Sequence, residues 1–387
     1  MLNKELGISE LSGIQFGTIV TAGYLALGIF YFPRELVSTA GRGGIWALWI
    51  DGLVTFLSMK LNFAMSRLAP SQTFVQFVGD LVSTPVALVL DLFRVVYHLG
   101  LAVLITVLFT SFMGNDFLPG TPTWALAGIA IVGAVYIASF GTTALARLLQ
   151  VGYIPMMLIN LLSLGLTITL IKYPLLLLPP LTIRPIPIFE AAYREFFIFI
   201  GFEVSITLYP FVKPRDRNRA ELYATGGLGL VLFSLTFMYE TCIAAFGPSY
   251  ITYMRWPTVT LLRAVEVSGF FVEKWGSLVI TLWTVAVLGF LAVRLWCVVH
   301  DIAALHFVHS IKHYRYILLP TAVAVYVLGL SIPNAAITND LTEKLFIPAG
   351  VIQLVVIPVF VLIIGRLRPT TVAKLRKRTT RTSTHSS

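Results

Sequence analysis

Charged residues are scarce in this sequence, since only 12% of its 387 residues are Asp, Glu, Lys or Arg. A soluble domain carries about 25% charged residues, so the composition argues against a soluble protein. Cysteine is almost absent, and the two that occur, Cys242 and Cys297, lie inside apolar stretches. They provide neither a disulfide framework nor the spacing of a metal site. No cofactor is predicted.

Long apolar stretches are what the sequence has instead, with 57% hydrophobic residues overall. Several exceed the roughly 18 residues that mark a membrane-spanning helix. Only helices and closed barrels satisfy their backbone groups in lipid, and these stretches lack the alternation of barrel strands. We therefore predict an all-α integral membrane protein with about ten spans. The predicted spans are 11–33, 43–68, 85–113, 122–140, 148–171, 188–212, 221–246, 275–303, 316–331 and 345–364.

The Lys and Arg residues predict the orientation of these spans, because positive charge favours the cytoplasmic side. With both termini inside, sixteen of the basic residues fall in cytoplasmic segments and eight in outer ones. Seven of the sixteen follow Ile364 with no intervening acid, which is typical of a topology signal that contacts anionic lipid, and no nucleic-acid role is predicted. We predict one transmembrane domain, 1–364, with halves at about 11–171 and 188–364, and a basic cytoplasmic tail, 365–387.

The first and sixth spans are the most informative, since glycine interrupts each near its middle and each ends near a proline, Pro33 or Pro210. They open the two five-helix halves, so they occupy corresponding places. Such a pair indicates a transporter-type site built from two discontinuous helices related by an inverted repeat. The alternative is that Gly23, Gly28 and Gly201 only allow close helix packing.

These motifs resemble those of a known superfamily. Gly28-Ile29-Phe30 with Pro33 is similar to the first-helix motif of the amino acid–polyamine–organocation transporters, and 199–203 is similar to their sixth-helix motif. Across nearly its full length the chain more closely resembles the spore germination permeases, the B subunits of nutrient germinant receptors. Further matching segments are Ile8-Ser9 with Gln15, Gly201-Phe202-Glu203-Val204 followed by Tyr209-Pro210, and Trp256-Pro257-Thr258.

The resemblance implies a leucine-transporter-type fold with a 5+5 inverted repeat. It also implies a subunit that binds a small nutrient, such as an amino acid, and acts with a membrane A subunit and a lipoprotein C subunit in the spore inner membrane. A self-contained amino-acid transporter is the alternative. An enzyme is not expected, because no catalytic constellation is present. Leu27 departs from the superfamily's usual small residue, and the fifth span lacks the Lys of some proton-coupled relatives.

The candidate ligand-binding residues lie at the two interruptions and on the third span. They are Ala26, Leu27, Gly28, Ile29, Gly201, Phe202, Glu203 and Tyr97. Glu203 is the strongest candidate, because an ionised carboxylate at membrane depth is costly unless a positive charge or hydrogen-bond donors stabilise it. Broken-helix N–H groups or a ligand amine would make it part of the site, whereas a basic side chain from another helix would make it a structural residue.

Other charged and aromatic residues in the spans carry simpler expectations. Asp91 is expected to pair with Arg94, and Glu190 with Arg194, from their spacing on a helix. Asp51 has no evident local partner. Arg294 is expected to lie near the inner end of its span and to extend its charge to the interface. The tryptophans are expected to be interfacial anchors or lipid contacts, among them Trp46, Trp49, Trp275 and Trp283.

Overall fold

The protein is described here from a computed structural model. The structure describes residues 10–26, 30–178, 180, 183–265, 275–307, 311–333 and 335–375. Numbered in chain order, the helices are α1 (Gly13–Ala26), α2 (Phe32–Ala40), α3 (Gly44–Ser66), α4 (Phe74–Leu81), α5 (Thr84–Asp116), α6 (Thr123–Ala138), α7 (Gly141–Thr167), α8 (Pro185–Phe199), α9 (Val204–Leu208), α10 (Arg217–Phe246), α11 (Pro248–Ile251), α12 (Pro257–Arg263), α13 (Trp275–Ile302), α14 (Ile311–Ser331), α15 (Ala335–Leu341), α16 (Ile347–Val351) and α17 (Ile357–Leu367).

The prediction of an all-α membrane protein is confirmed. Within the described chain, six helical stretches are long and apolar enough to cross a membrane, and two shorter apolar helices, α6 and the 316–331 part of α14, accompany them. Helix α1 and the interrupted pair α8/α9 occupy the two remaining predicted positions, 11–33 and 188–212. The described segments therefore follow the ten predicted spans in order.

The first interruption separates α1 from α2, and residues 27–29 lie outside the described part of the chain. Pro33 was expected to close the first span, but that expectation is wrong, since Pro33 lies in the first turn of α2. Proline is tolerated there because the first N–H groups of a helix have no intrahelical partner. The first span therefore continues beyond its break as a second, outgoing half-helix.

The second interruption is a 3₁₀ segment, Ile200–Glu203, between α8 and α9. A further 3₁₀ turn, Tyr209–Phe211, contains Pro210, so the sixth span ends where the sequence predicted. Three π-helical segments occur near the C-terminal spans, Ala303–Phe307, Thr342–Phe346 and Ile352–Val356. Such segments widen the helix locally and leave backbone groups free to bond elsewhere.

Short helices flank the membrane spans on both sides. On the predicted cytoplasmic side, α4 begins with a capping box in which the Thr73 N–H donates to Gln76 Oε1 at 3.3 Å. Residues 369–375 form a helix whose Val372 and Leu375 are buried in the same hydrophobic cluster as α4. On the opposite, predicted outer side, α12 packs against α13.

Candidate functional site

The second interruption contacts α1 directly through glycine. A Cβ added to Gly23 would lie 2.7 Å from Gly201 O, and one added to Gly201 would lie 2.7 Å from Gly23 C and O. Real Cβ atoms do not approach backbone so closely, so neither position has room for a side chain. The backbones of α1 and of Ile200–Glu203 therefore pack directly against each other. Gly23 and Gly201 allow this close packing, as the second hypothesis for these glycines expects, and they do so beside a helix interruption, as the first hypothesis expects.

The structure gathers some of the predicted site residues and leaves others outside the described chain. Gly201, Phe202 and Glu203 are fully buried in the 3₁₀ segment. Tyr97 is buried on α5, and its hydroxyl would lie 2.7 Å from a Cβ added to Gly350. Ala26 ends α1, but its side chain is not described; Leu27, Gly28 and Ile29 lie outside the described residues.

Glu203 is compensated by a basic side chain from α13. Arg294 Nη1 donates to Glu203 Oε1, and Arg294 Nη2 donates to Gly201 O at 3.1 Å. The same Nη1 lies 3.0 Å from His98 Nδ1, on α5. The side chains of Glu203, Arg294 and His98 are completely buried. The expectation that Arg294 extends towards an interface is therefore wrong, because its charge is used inside the protein.

A second buried ionic cluster lies one to two turns away on the same helices. Arg94 Nη2 lies 3.2 Å from Asp301 Oδ2 and also donates to Thr207 Oγ1. Asp91 Oδ1 is 3.5 Å from Arg94 Nε, so the expected pair is present but shares its arginine. Asp301 Oδ1 in turn lies 3.1 Å from His300 Nδ1. The predicted pairing of Asp91 with Arg94 is therefore one edge of a larger cluster.

Sequence reasoning missed the partners that come from other helices. His98 follows Arg94 by four residues on α5, and Asp301 follows Arg294 by seven on α13, so each pair lies on one helix face. This spacing was the signal in the sequence that could have identified each pair as neighbours on one helix face. Together the two clusters join α5, α13 and the 200–208 segment through charged groups in the membrane core.

An open, polar cavity lies on the predicted outer side, and we call it the vestibule. It has a volume of about 360 Å³ and is lined by α2, α5, the segment before α12 and the ends of α14 and α15. Arg34, Glu35 and Arg255 line it, and within the described chain none of the three forms a side-chain ion pair. Hydrogen-bonding groups surround them, including Ser111 and Asn115. The vestibule therefore presents charge of both signs to a solute.

An aromatic layer separates the vestibule from the interruptions. Phe30 stacks on Phe112 with ring centroids 4.8 Å apart, and Trp283 lies 4.7 Å from Phe30 and 5.1 Å from Phe112. Trp256, which lines the vestibule, meets Phe112 edge-on at 5.2 Å. Because Phe30 comes just after the first interruption, these rings lie between that interruption and the vestibule.

Four tryptophans were expected to be interfacial anchors or lipid contacts, and for two of them this expectation is wrong. Trp283 and Trp275 are each only 4% exposed, so neither is a lipid contact. Trp46 and Trp49, in contrast, are 37% and 52% exposed, as expected for residues at the protein surface. Apolar composition alone does not distinguish a ring that faces lipid from one that faces a neighbouring helix.

The opposite end of the molecule is closed by backbone and side-chain contacts. The Leu11 N–H donates to Phe211 O at 2.7 Å, and the Lys213 N–H donates to Leu11 O at 3.0 Å. Arg67 Nε and the Tyr209 hydroxyl both donate to Glu221 Oε1, at 2.8 and 2.9 Å. Among the described residues near the interruptions, a small gap lies between α1, α13 and Gly201. The structure is open towards the vestibule and closed beneath it.

Sequence comparison identifies relatives along most of the chain. A family model described as "Spore germination protein" matches residues 10–337. Spore germination protein GerLB of Bacillus cereus is 23% identical over 308 residues, which cover 78% of this chain and 80% of that protein. Spore germination protein B2 of Bacillus subtilis is 20% identical over 288 residues, covering 71% of this chain and 74% of that protein.

Two solved structures share the fold at low sequence identity. A Na⁺-coupled sialic acid symporter, in a substrate-bound outward-open state, aligns with a TM-score of 0.66 and 10% identity, covering 92% of this chain and 81% of its own. MhsT in complex with L-phenylalanine aligns with a TM-score of 0.56 and 13% identity, covering 93% and 97%. The predicted leucine-transporter-type fold is confirmed.

Proposed function

Since the chain belongs to the spore germination permease family, we propose that it is the nutrient-binding subunit of a spore germinant receptor. The ligand is a small nutrient, an amino acid in the first instance. Binding is passed on to a membrane A subunit and a lipoprotein C subunit in the inner membrane of the spore, with both termini of this chain cytoplasmic. No enzymatic role is proposed.

The observation that carries this proposal is the vestibule above the interrupted helices. An amino acid carries one positive and one negative group, and the vestibule offers Arg34, Arg255 and Glu35, none of which forms an ion pair with a described side chain. Arginine matches the planar geometry of a carboxylate, and Glu35 supplies the opposite charge for an amine. A volume of about 360 Å³ is within the range of small-molecule sites.

The path from the vestibule to the interruptions passes the aromatic layer. A ligand that moves inward must displace Phe30, which directly follows the first interruption, and so changes the position of α2 relative to α1. A change of this kind supports signalling, because a ligand shifts an equilibrium only when it contacts the two conformations differently. Binding in the vestibule alone, in contrast, would leave the interruptions unchanged.

The alternative is a self-contained amino-acid transporter of the same fold, since one fold serves many functions. Both solved relatives are named with a solute, and one of them as a coupled symporter. A transporter would also have to open the closed end, at the pairing of Leu11 with Phe211 and Lys213.

One experiment tests the proposal and separates the two functions. Purified chain is screened for binding of the common amino acids by thermal shift, and each ligand found is then tested for uptake into sealed vesicles containing the chain. The receptor proposal predicts binding without uptake, and weaker binding in Arg34→Gln. As a matched control, Arg184→Gln on the same predicted side, outside the vestibule, leaves binding unchanged. Concentrative uptake, or the absence of any binding, contradicts the proposal.

A further inference from the structure

Helix α4, on the predicted cytoplasmic side, is held at both of its ends by arginine. Arg217 Nη2 donates to Pro70 O and to Ser71 Oγ, both at 2.9 Å, in the turn that precedes the helix. At the other end, Arg368 Nη1 donates to Leu81 O at 2.9 Å. This carbonyl belongs to the last turn of α4, where backbone acceptors lack an intrahelical partner and a positive charge is favourable.

The two arginines come from segments that are rich in basic residues. Arg217 begins α10 and Arg368 follows the last residue of α17, so both lie where a membrane span ends. Span ends lie near the lipid headgroups. Four other basic residues of these segments are exposed and form no ion pair within the described chain: Arg215, Arg219, Arg366 and Lys374. Their charge is available to an anionic partner.

The helix at 369–375 connects one of these segments to α4 by apolar contacts. Its Val372 and Leu375 are buried in the same hydrophobic cluster as Phe77 and Leu81 of α4, whereas Lys374 between them is exposed. The helix therefore has an apolar face towards α4 and a basic residue in solvent. A basic amphipathic helix of this kind is typical of a membrane surface.

The apolar side of α4 covers the second ionic cluster. The guanidinium carbon of Arg94 lies 4.4 Å from the centre of the Phe74 ring. Arg94 is completely buried, and its Nη1 has no hydrogen-bond partner among the described residues. The ring face is therefore part of what stabilises this charge. Ile206, in the half-helix that follows the second interruption, belongs to the same hydrophobic cluster as α4.

We propose that α4 is a strap that anionic lipid holds closed over Arg94. Lipid phosphates bind the exposed basic residues of the two segments and so keep Arg217 and Arg368 beside α4. In a neutral membrane these like charges repel one another, and the fastening loses that support. A lipid surface is the fitting partner because the basic residues lie at span ends, and because the seven that follow Ile364 are interrupted by no acid.

The ligand in this proposal is lipid, so the test uses the full-length chain without any nutrient. The chain is placed in nanodiscs of phosphatidylcholine, with or without phosphatidylglycerol, and hydrogen–deuterium exchange of the α4 amides is measured. We expect phosphatidylglycerol to slow exchange by about fivefold or more, the effect of a single basic residue at an anionic surface. High salt removes the difference, because it screens exposed charges. Equal exchange in the two lipids overturns the proposal.

Substitutions separate lipid binding from a purely structural role of the basic segments. The first variant neutralises the four exposed basic residues: Arg215→Gln, Arg219→Gln, Arg366→Gln and Lys374→Gln. We expect it to reduce the difference in exchange between the two lipids. The matched control is Lys172→Gln/Arg184→Gln, which neutralises exposed residues on the predicted outer side and keeps the full difference. An undiminished difference in the fourfold variant, or an equal loss in the control, overturns the proposal.

Two further measurements examine the ligand and the covering role of α4. Inorganic phosphate added to phosphatidylcholine nanodiscs leaves exchange unchanged if the partner is a lipid surface, whereas slower exchange identifies a free anion and overturns the proposal. Arg368→Gln removes one fastening, so exchange at α4 and at 204–208 should rise together in both lipids. A rise at α4 alone overturns its role as a cover. The wild-type measurements remain decisive if a variant does not fold.

Discussion

The buried pair of Glu203 and Arg294 makes the sharpest prediction, because each charge is completely excluded from solvent. Arg294→Met removes the positive charge and keeps an unbranched apolar side chain. Glu203 is then left as an uncompensated buried carboxylate, and Gly201 O loses its donor. Breaking a buried ion pair in this way costs about 3–5 kcal/mol of folding free energy. We therefore expect Arg294→Met to be among the most destabilising single substitutions in the chain.

The measurement is a double-mutant cycle on purified protein, with unfolding followed in detergent micelles. Glu203→Gln/Arg294→Met lacks both charges, so it should recover most of the stability that Arg294→Met loses. The matched control is Arg194→Met on α8, where Arg194 is 40% exposed and its partner Glu190 is 52% exposed. An exposed pair contributes about 0–1 kcal/mol.

Two outcomes would refute this reasoning. If Arg294→Met costs no more than Arg194→Met, the buried pair does not stabilise the fold. If the double variant remains as unstable as Arg294→Met, the cost comes from the lost bond to Gly201 or from packing, and not from the unpaired charge. A ligand role for Glu203 gives a third pattern, in which Glu203→Gln weakens ligand binding by about tenfold, equivalent to ~1.4 kcal/mol, while stability is unchanged.

The remaining predictions concern packing and topology. Gly201→Ala should destabilise the protein by about 1–3 kcal/mol through overpacking. Gly165→Ala should not, because a Cβ there would meet nothing within 4 Å. Equal stabilities of the two variants in an unfolding assay would contradict the backbone contact at Gly201. Cysteines introduced at 213–219 should be protected from an impermeant thiol reagent and those at 174–178 labelled, and the opposite pattern would reverse the predicted orientation. Both native cysteines are buried, so they give little background.

The spans were predictable because their cause is local. Each helix in lipid must bury its own backbone bonds, so the length of an apolar run determines its extent. The third span was predicted at 85–113 and α5 runs Thr84–Asp116; the seventh was predicted at 221–246 and α10 runs Arg217–Phe246. Pro33 was misassigned because proline both ends helices and begins them, and the sequence near it does not distinguish the two.

The candidate site was predictable only in part, because its partners come from distant positions. Gly201 and Glu203 were found from a local motif, but the compensation of Glu203 depends on Arg294, 91 residues further on. Helical spacing shows which residues share a face and does not show which helix that face meets. Asp51 illustrates the same limit: its lack of a local partner was visible in the sequence, whereas its burial depends on how α3 packs against neighbouring helices such as α8.

The distribution of charge in the core bears on how the second interruption moves if the proposed receptor function holds. Arg294 and Asp301 lie on one face of α13, and they hold Glu203 and Thr207 on either side of the start of α9. A movement of the second interruption must therefore either carry α13 with it or break a buried ion pair. Breaking such a pair costs several kcal/mol, which exceeds the 1–3 kcal/mol typical of coupling between sites. Concerted movement is thus cheaper, and α13 connects the second interruption with the predicted cytoplasmic end, where His300 and Asp301 lie beside Phe211 and Arg94.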